Sequence, residues 1–442
     1  MSRKNKLQDT GYRLQIGGFI LALFLPFYIY SQTSTSSPYS RFGLGELQNK
    51  GFANSFGMGG VSYAYQNDSL APFYINSSNP ASHSKIKLTT FDIAVMNNQD
   101  QLQTTSEKTS ANRTALNYFS VGFPIKKWWG MAVGLNPYSS VGYKAGNSEE
   151  IDSIGTVNYV YEGNGGVNEL WWGNGFVYKN FSFGINTSYL FGRSNYIARD
   201  SFPDLVNVFS SKVTRTTDYN DVFLKFGLQY KTNLKKSWTF SLGATASLQK
   251  NLSARYTYLA ETYKYVYLGD VIKDTAWYAP DSSVNVTLPM MLGFGFKLNN
   301  EKWMIGFDYS MQNWSKFTAF NQSGYLTNSN RFSLGLQYTP DRTAEKGSYL
   351  RRMNYRLGFR YENSYLLMGK DNQIKDMALS FGFGFPLRKL KVGDTYNQSV
   401  MNLSFELGER GTTDNNLVLE RYFRVVLGFT LNEKWFNQRK YD

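Results

Sequence analysis

The sequence predicts an all-β fold, a transmembrane antiparallel β-barrel of about fourteen strands with an N-terminal hatch or plug segment in its lumen. Three observations lead there: period-two alternation along most of the chain, strands long enough to cross a bilayer, and connections that alternate in length. The alternation is clearest at 303–312, where Trp303, Ile305, Phe307, Tyr309 and Met311 are large and apolar. Between them, Gly306, Asp308, Ser310 and Gln312 are small or polar. A strand sends successive side chains to opposite faces, so such a stretch separates two solvents. Mean hydropathy is −0.40, which excludes a helical bundle built from spans of about 20 apolar residues. A barrel confines its membrane preference to alternate positions, where averaging erases it.

The first element is a signal peptide, read over residues 1–31. Arg3, Lys4, Lys6 and Arg13 form a basic start, an apolar run covers 16–30, and Ser31-Gln32 leads into Ser/Thr-rich sequence. The chain has no Cys, so it has no disulfide and no lipid-attachment thiol. Export of a strand-rich chain points to a bacterial outer membrane. Net charge is +14, a balance that often marks nucleic-acid binding, but export excludes nucleic acid as a partner.

From residue 86 the strands are placed at 86–97, 114–124, 129–143, 167–179, 181–192, 213–232, 237–258, 284–298, 302–317, 328–339, 353–368, 373–387, 399–410 and 418–432. In the twelfth, Met377, Leu379, Phe381, Phe383 and Phe385 alternate with Ala378, Ser380, Gly382 and Gly384. The fourth is ambiguous, because Trp171 and Trp172 are both bulky. Soluble strands average about five or six residues, whereas a membrane strand needs about nine to eleven. Residues 86–442 are therefore assigned to the barrel, with a short periplasmic tail at the C-terminus.

Short turns are expected at 126–127, 179–180, 233–236 and 299–302, and long loops at 98–113, 144–166, 194–212 and 259–283. Barrels of this kind place short turns in the periplasm and long loops outside. The short-turn side also collects Lys126, Lys127, Lys235, Lys236, Arg351, Arg352, Arg388, Lys389, Lys391, Arg439 and Lys440. Such a rim suits anchoring to phospholipid headgroups. The Tyr- and Trp-rich loop at Tyr263, Tyr265, Tyr267, Trp277 and Tyr278 reads equally as a ligand-capture groove, a partner surface or an interfacial girdle.

Residues 32–85 do not alternate and read as a tail, a strap or a plug inside the lumen. They carry Gly57-Met58-Gly59-Gly60 and Asn79-Pro80-Ala81, and no Lys-Ser/Thr follows the glycines, so the run is no phosphate loop. The stretch from Gly57 to Ala64, followed by Ser77-Ser-Asn-Pro-Ala-Ser82, resembles the hatch of the FadL/TodX-type hydrophobic-compound transporters. Leu288 to Gly293 and Lys302 to Phe317, with its Trp-Ser-x-Phe ending, are similar to that family's eighth and ninth strands. The opening Ser37-Pro-Tyr-Ser-Arg-Phe-Gly43 and closing Trp435 to Tyr441 look like members found in Bacteroidota-type bacteria.

The resemblance implies passive passage of long-chain fatty acids or other hydrophobic small molecules. A ligand would enter from outside, and a hatch movement and a gap in the third strand would release it into outer-membrane lipid. Asn136-Pro137 lies in that strand, where proline withholds a ladder hydrogen bond. The pair marks either a lateral opening or a simple bend. Inward charges at Lys225, Asp308, Arg356, Arg360, Glu362, Glu406 and Arg424 either guide a ligand or seal the lumen. The alternative function is a non-transporting subunit of an outer-membrane secretion, assembly or surface-protein complex, with outer-membrane or periplasmic proteins as partners. No enzyme, cofactor or metal site is expected. The only His, His83, stands beside Ser82 and Ser84 with no third catalytic group in sight.

Overall fold

The computed structural model describes residues 35–48, 51–67, 73–205, 208–235, 237–266, 269–319, 322–323, 326–342, 349–368, 372–387, 390–392 and 395–433. The signal peptide, the C-terminal tail, Tyr267, and the rim residues Lys236, Arg388, Lys389, Arg439 and Lys440 lie outside the described residues.

Period-two sequence becomes wall. The segments are β1 (Thr89–Gln103), β2 (Lys108–Lys126), β3 (Trp129–Ile151), β4 (Gly155–Tyr178), β5 (Phe181–Ser201), β6 (Ser210–Asn233), β7 (Thr239–Ser247) and β8 (Lys250–Val266). They continue as β9 (Gly269–Leu288), β10 (Met291–Asn299), β11 (Trp303–Gln312), β12 (Ser329–Tyr338), β13 (Asn354–Met368), β14 (Asn372–Pro386), β15 (Val400–Arg410) and β16 (Leu419–Glu433). β7 runs on into β8, and β9 into β10, where Pro289 interrupts the ladder. The result is a closed antiparallel barrel of 14 strands. It closes by pairing β1 with β16 along their whole length, from Thr89 opposite Glu433 to Gln103 opposite Leu419. Closure satisfies the backbone groups that an open sheet would leave bare in hydrocarbon.

The alternation sorts as expected. On β11, Trp303 and Ile305 face outward, while Met304, Gly306 and Asp308 are buried inside. On β14, Met377, Leu379 and Phe381 are exposed, while Ala378 and Ser380 are buried. Trp171 turns inward and Trp172 outward, which resolves the ambiguous fourth strand.

One expectation is corrected. The segments 98–113, 144–166, 194–212 and 259–283 are largely strand, not loop. β3 to β6 run to 23, 24, 21 and 24 residues, against 10 each for β11 and β12. About nine to eleven residues cross the bilayer, so one side of the barrel carries a wall standing well above it. Above the lipid both faces of a strand are wet, and the apolar–polar contrast that reveals a strand in sequence disappears. A second, smaller correction concerns 302–317, where the strand ends at Gln312 and Trp314–Lys316 form a 3-10 turn.

The β2–β3 ladder is short. It runs from Lys126 opposite Trp129 to Phe119 opposite Leu135 and stops there, although both strands continue. At the same level β3 carries a bulge against β4, between Pro137 and Ser139. The bulge reverses which residues face inward, so Leu135 is exposed but Ser139 and Val141 are buried.

The lipid-facing assignment is testable. Leu379→Arg, on the outward face of β14, should cost about 2–4 kcal/mol if it sits near the bilayer midplane. Denaturant titration of the variant refolded into phospholipid bilayers measures this; an unchanged midpoint would place that face away from hydrocarbon.

Candidate functional site

The candidate site is the lumen. The described residues of 35–48, 51–67 and 73–88 cross it, held by inward-facing groups on many strands. The Ala53 amide donates to the Tyr118 hydroxyl of β2 at 2.6 Å. The Gly59 amide donates to Ser380 Oγ of β14 at 2.8 Å. The Phe73 amide donates to Asn432 Oδ1 of β16 at 3.0 Å, and His83 Nε2 lies 3.2 Å from Asn186 Oδ1 of β5. A segment bonded to opposite walls lies inside the barrel.

The hatch motifs now have physical reasons. Gly57 packs on the backbone of Gly382. Gly59 has φ +65°, and a Cβ there would come within 2.7 Å of the Phe359 carbonyl, so only glycine fits. Gly60 turns the chain back, its amide donating to the Ser55 carbonyl at 2.9 Å. Asn79 caps a 3-10 helix over Pro80–Lys85, accepting from the Ala81 amide at 3.1 Å. Its Nδ2 also reaches the carbonyls of Tyr63, at 2.8 Å, and Ala244 of β7, at 3.1 Å. Pro80 and Ala81 pack against Gly184 of β5.

The seven predicted lumen charges divide into four groups. Asp308 is buried and accepts from the amides of Ser62, at 2.6 Å, and Tyr63, at 3.0 Å. Arg356 bonds Gln337 and Asn402, both at 2.8 Å. Lys225 is buried on the far wall, on β6. Arg360, Glu362, Glu406 and Arg424 come together. Arg360 lies 3.3 Å from Asp376, 3.2 Å from Glu406 and 3.6 Å from Glu362. Arg424 bridges Glu406 at 3.1 Å and Glu46 at 3.4 Å.

Sequence reasoning missed half of this cluster. Arg410 reaches Glu46 at 2.9 Å, Asp376 at 3.0 Å and Glu420 at 3.5 Å. Tyr422 donates to Asp376 at 2.6 Å. Arg410 and Glu420 sit at strand ends that resemble loop boundaries. Glu46 lies in the non-alternating segment, where no pattern marks it. Asp376 stood at an inward position of a recognised strand and was legible there. The cluster holds the start of the hatch, because Ser37 Oγ donates to Glu420 and Thr35 Oγ1 to Glu46. Burial by itself raises the Glu46 carboxyl, but Arg410 and Arg424 outweigh it and hold it below the ordinary range.

Asn136 turns inward, accepting from Trp171 Nε1 at 2.9 Å and donating to Glu169 at 3.2 Å. Where β2 departs, the hatch takes its place along the edge of β3. Glu46 and Leu47 pair with Ser140 and Ser139, the Gln48 amide donates to the Tyr138 carbonyl at 3.0 Å, and Ser40 Oγ accepts from the Gly142 amide at 3.0 Å. A crevice of about 20 Å³ remains beside Asn117, Tyr118, Asn136 and Pro137, room for about one water. An inner cavity of about 180 Å³ is lined by charged residues, among them Lys225, Arg360, Arg410 and Glu46, and by apolar ones such as Tyr138, Phe223 and Leu366.

Toward the tall end, an apolar cluster fills the lumen around Leu44, Tyr138, Phe223, Leu288, Trp314, Phe317 and Tyr365. Trp314 is fully buried and stacks on Tyr365 at 4.5 Å. The Trp-Ser-x-Phe motif is therefore a plug residue pair. The aromatic set at 263–278 is not gathered into one surface. Tyr263 is buried, while Trp277 and Tyr278 are exposed, because bulges in β9 shift the register between them.

His83 has a structural setting. It stacks on Trp171 at 5.5 Å with planes 4° apart. The Ser82 and Ser84 hydroxyls donate to backbone carbonyls rather than to the imidazole. Among the described residues no group of three metal-ligating side chains occurs.

Two outcomes follow. Asp308→Leu should strip two hatch amides of their acceptor, at about 1–3 kcal/mol each, and hydrogen exchange at Ser62 and Tyr63 should rise; unchanged exchange would mean other contacts hold the hatch. Burial pushes His83 down to about 4, against an ordinary value of 6.5. The unfolded chain then binds more protons between those values, so stability drains away as pH falls from about 6.5 toward 4. His83→Gln should flatten the pH dependence of thermal unfolding, read by heat-modified gel mobility; equal profiles for both proteins would exclude His83 as the source.

The barrel resembles solved structures in fold. A Pseudomonas aeruginosa FadL homologue aligns with TM-score 0.58 at 10% identity, covering 88% of this chain and 99% of that one. The Pseudomonas putida toluene transporter TodX aligns with TM-score 0.55 at 15% identity, covering 88% and 100%. The CymD monoaromatic hydrocarbon channel aligns with TM-score 0.51 at 13% identity, covering 89% and 99%. No curated protein matches the sequence. A family model, BamG, matches residues 16–442. That match spans the hatch and every wall strand, and the chain belongs to the BamG family.

Proposed function

We propose that this protein is an exported outer-membrane barrel acting as a non-transporting subunit of an outer-membrane protein complex. One observation carries the reading: the lumen is closed at two levels. Below, the hatch is tied to the wall by buried charges and by Glu46–Leu47 along β3. Above, the apolar cluster around Trp314 fills the barrel. The space between is about 180 Å³, lined by charged and apolar residues alike, whereas small-molecule sites run to roughly 300–1,000 Å³. Removing one partner of a buried ion pair costs about 3–5 kcal/mol, so opening this hatch is expensive. The raised wall of β3 to β6 then serves as the surface offered to partners outside the cell. The exposed Lys126, Lys127, Lys235 and Arg351 face the periplasmic headgroups.

A second reading is passive uptake of hydrophobic compounds, such as long-chain fatty acids, with lateral release into the bilayer. The early end of the β2–β3 ladder beside Asn136-Pro137 favours it, as do structural neighbours that are a toluene transporter and a monoaromatic hydrocarbon channel.

Purification of the native protein in mild detergent separates the two. Stoichiometric protein partners, with no lipid in the lumen and no uptake defect in a deletion strain, are the expected result. A lone barrel holding a hydrophobic ligand, with uptake abolished by a disulfide engineered between positions 117 and 137, would replace the first reading by the second.

A further inference from the structure

At the tall end, above the apolar cluster, the inner face of the raised wall encloses a vestibule of about 500 Å³. Its lining follows from register. Tyr143 of β3 stands opposite Gly163 of β4, Gly163 opposite Tyr196 of β5, Tyr196 opposite Arg215 of β6, and Arg215 opposite Tyr258 of β8. Directly opposed residues share a face, so this row runs across five neighbouring strands at the interstrand spacing of about 4.8 Å. Tyr161 stands in the next row, and Arg41 reaches in from the hatch.

Two features set these side chains apart. The guanidinium of Arg41 lies 5.3 Å over the Tyr161 ring, and that of Arg215 lies 5.9 Å over the Tyr258 ring. Both charges act on the Tyr143 hydroxyl. Other arginines of the raised wall are neutralised: Arg193 bridges Asp218 at 2.6 Å and Arg199 bridges Glu162 at 3.1 Å. Arg41 and Arg215 are exposed, and neither has a carboxylate partner among the described residues. An arginine stacked on an aromatic face keeps its planar edge free for bidentate bonding to a carboxylate.

We propose that this vestibule binds an acidic saccharide. The rings supply flat faces for pyranose C–H surfaces, the phenols donate and accept hydrogen bonds with sugar hydroxyls, and the two guanidiniums receive the carboxylates. A fatty chain would bury the phenols of Tyr143, Tyr161 and Tyr258 without offering them partners, which is costly. The inference stands apart from the choice between the two functional readings, since it concerns the outer mouth and not the closed lumen.

Isothermal titration tests it on the full-length protein in a polyoxyethylene detergent, which carries no sugar headgroup. The probes are digalacturonate, neutral galactobiose, laurate and an acidic tetrapeptide. A saturable one-to-one isotherm for digalacturonate is expected, with galactobiose at least about tenfold weaker. The double variant Arg41→Gln/Arg215→Gln should weaken digalacturonate about tenfold or more, while its heat-modified gel mobility stays that of folded protein. Absence of saturation, equal affinity for the neutral sugar, or an unmoved affinity in the folded double variant would overturn the proposal. Tighter binding of laurate or of the peptide would overturn the ligand class. The acid-versus-neutral comparison uses unaltered protein, so it decides the matter even if the double variant does not fold.

Discussion

The constraint on which this structure depends is that backbone hydrogen bonds must be satisfied all the way around the wall. In hydrocarbon an unpaired N–H or C=O costs several kcal/mol, so the sheet closes β1 onto β16 along its full length. Closure creates a lumen, and the inward row of each strand then needs partners of its own. The chain fills that space with the described parts of its N-terminal segment, 35–48, 51–67 and 73–88, and with the turn at Trp314. The early end of the β2–β3 ladder is met in the same way: Glu46–Leu47 and Ser40 bond to the edge that β2 leaves. The hatch is thus part of the wall's hydrogen bonding as well as its filling.

This arrangement explains why buried charge gathers near Arg360. Burying an ion pair is at best near neutral in stability, so its merit lies elsewhere. Arg410 and Arg424 fix Glu46, and Glu46 fixes the register of the hatch against β3. Asp308 does the equivalent work for Ser62 and Tyr63 on the other side. Polar bonds specify one position where apolar contacts alone would accept several.

Much of the wall was readable from sequence. Each of the fourteen strands was located, because a strand between two solvents alternates visibly, but the fourth, fifth and eighth were drawn about 9 to 15 residues too short at the tall end. The tall hairpins at 144–166 and 194–212 were not readable, since above the bilayer both faces are wet and the alternation fades. The seven lumen charges were legible as inward positions, but their grouping was not: Arg360 and Glu406 flank β14 and meet over its small inward residues Ala378 and Ser380, a pairing that strand neighbours alone do not reveal. Glu46, which joins two of the arginines, gave no signal in a segment without periodicity. The separation of buried Tyr263 from exposed Trp277 and Tyr278 was not legible for a related reason, as bulges reset the faces that spacing predicts.

By itself the sequence determined the class: a closed antiparallel membrane barrel of about fourteen strands with a glycine- and asparagine-rich segment ahead of it. Local alternation and turn chemistry suffice for that, because they act within a strand and its neighbour. Only the tertiary structure decided whether the barrel is filled, which charges pair across it, and where the wall rises to form the vestibule of Arg41 and Arg215. Those outcomes rest on contacts between residues far apart in the chain, and on the register that bulges such as Pro137–Ser139 impose. No local pattern encodes either one.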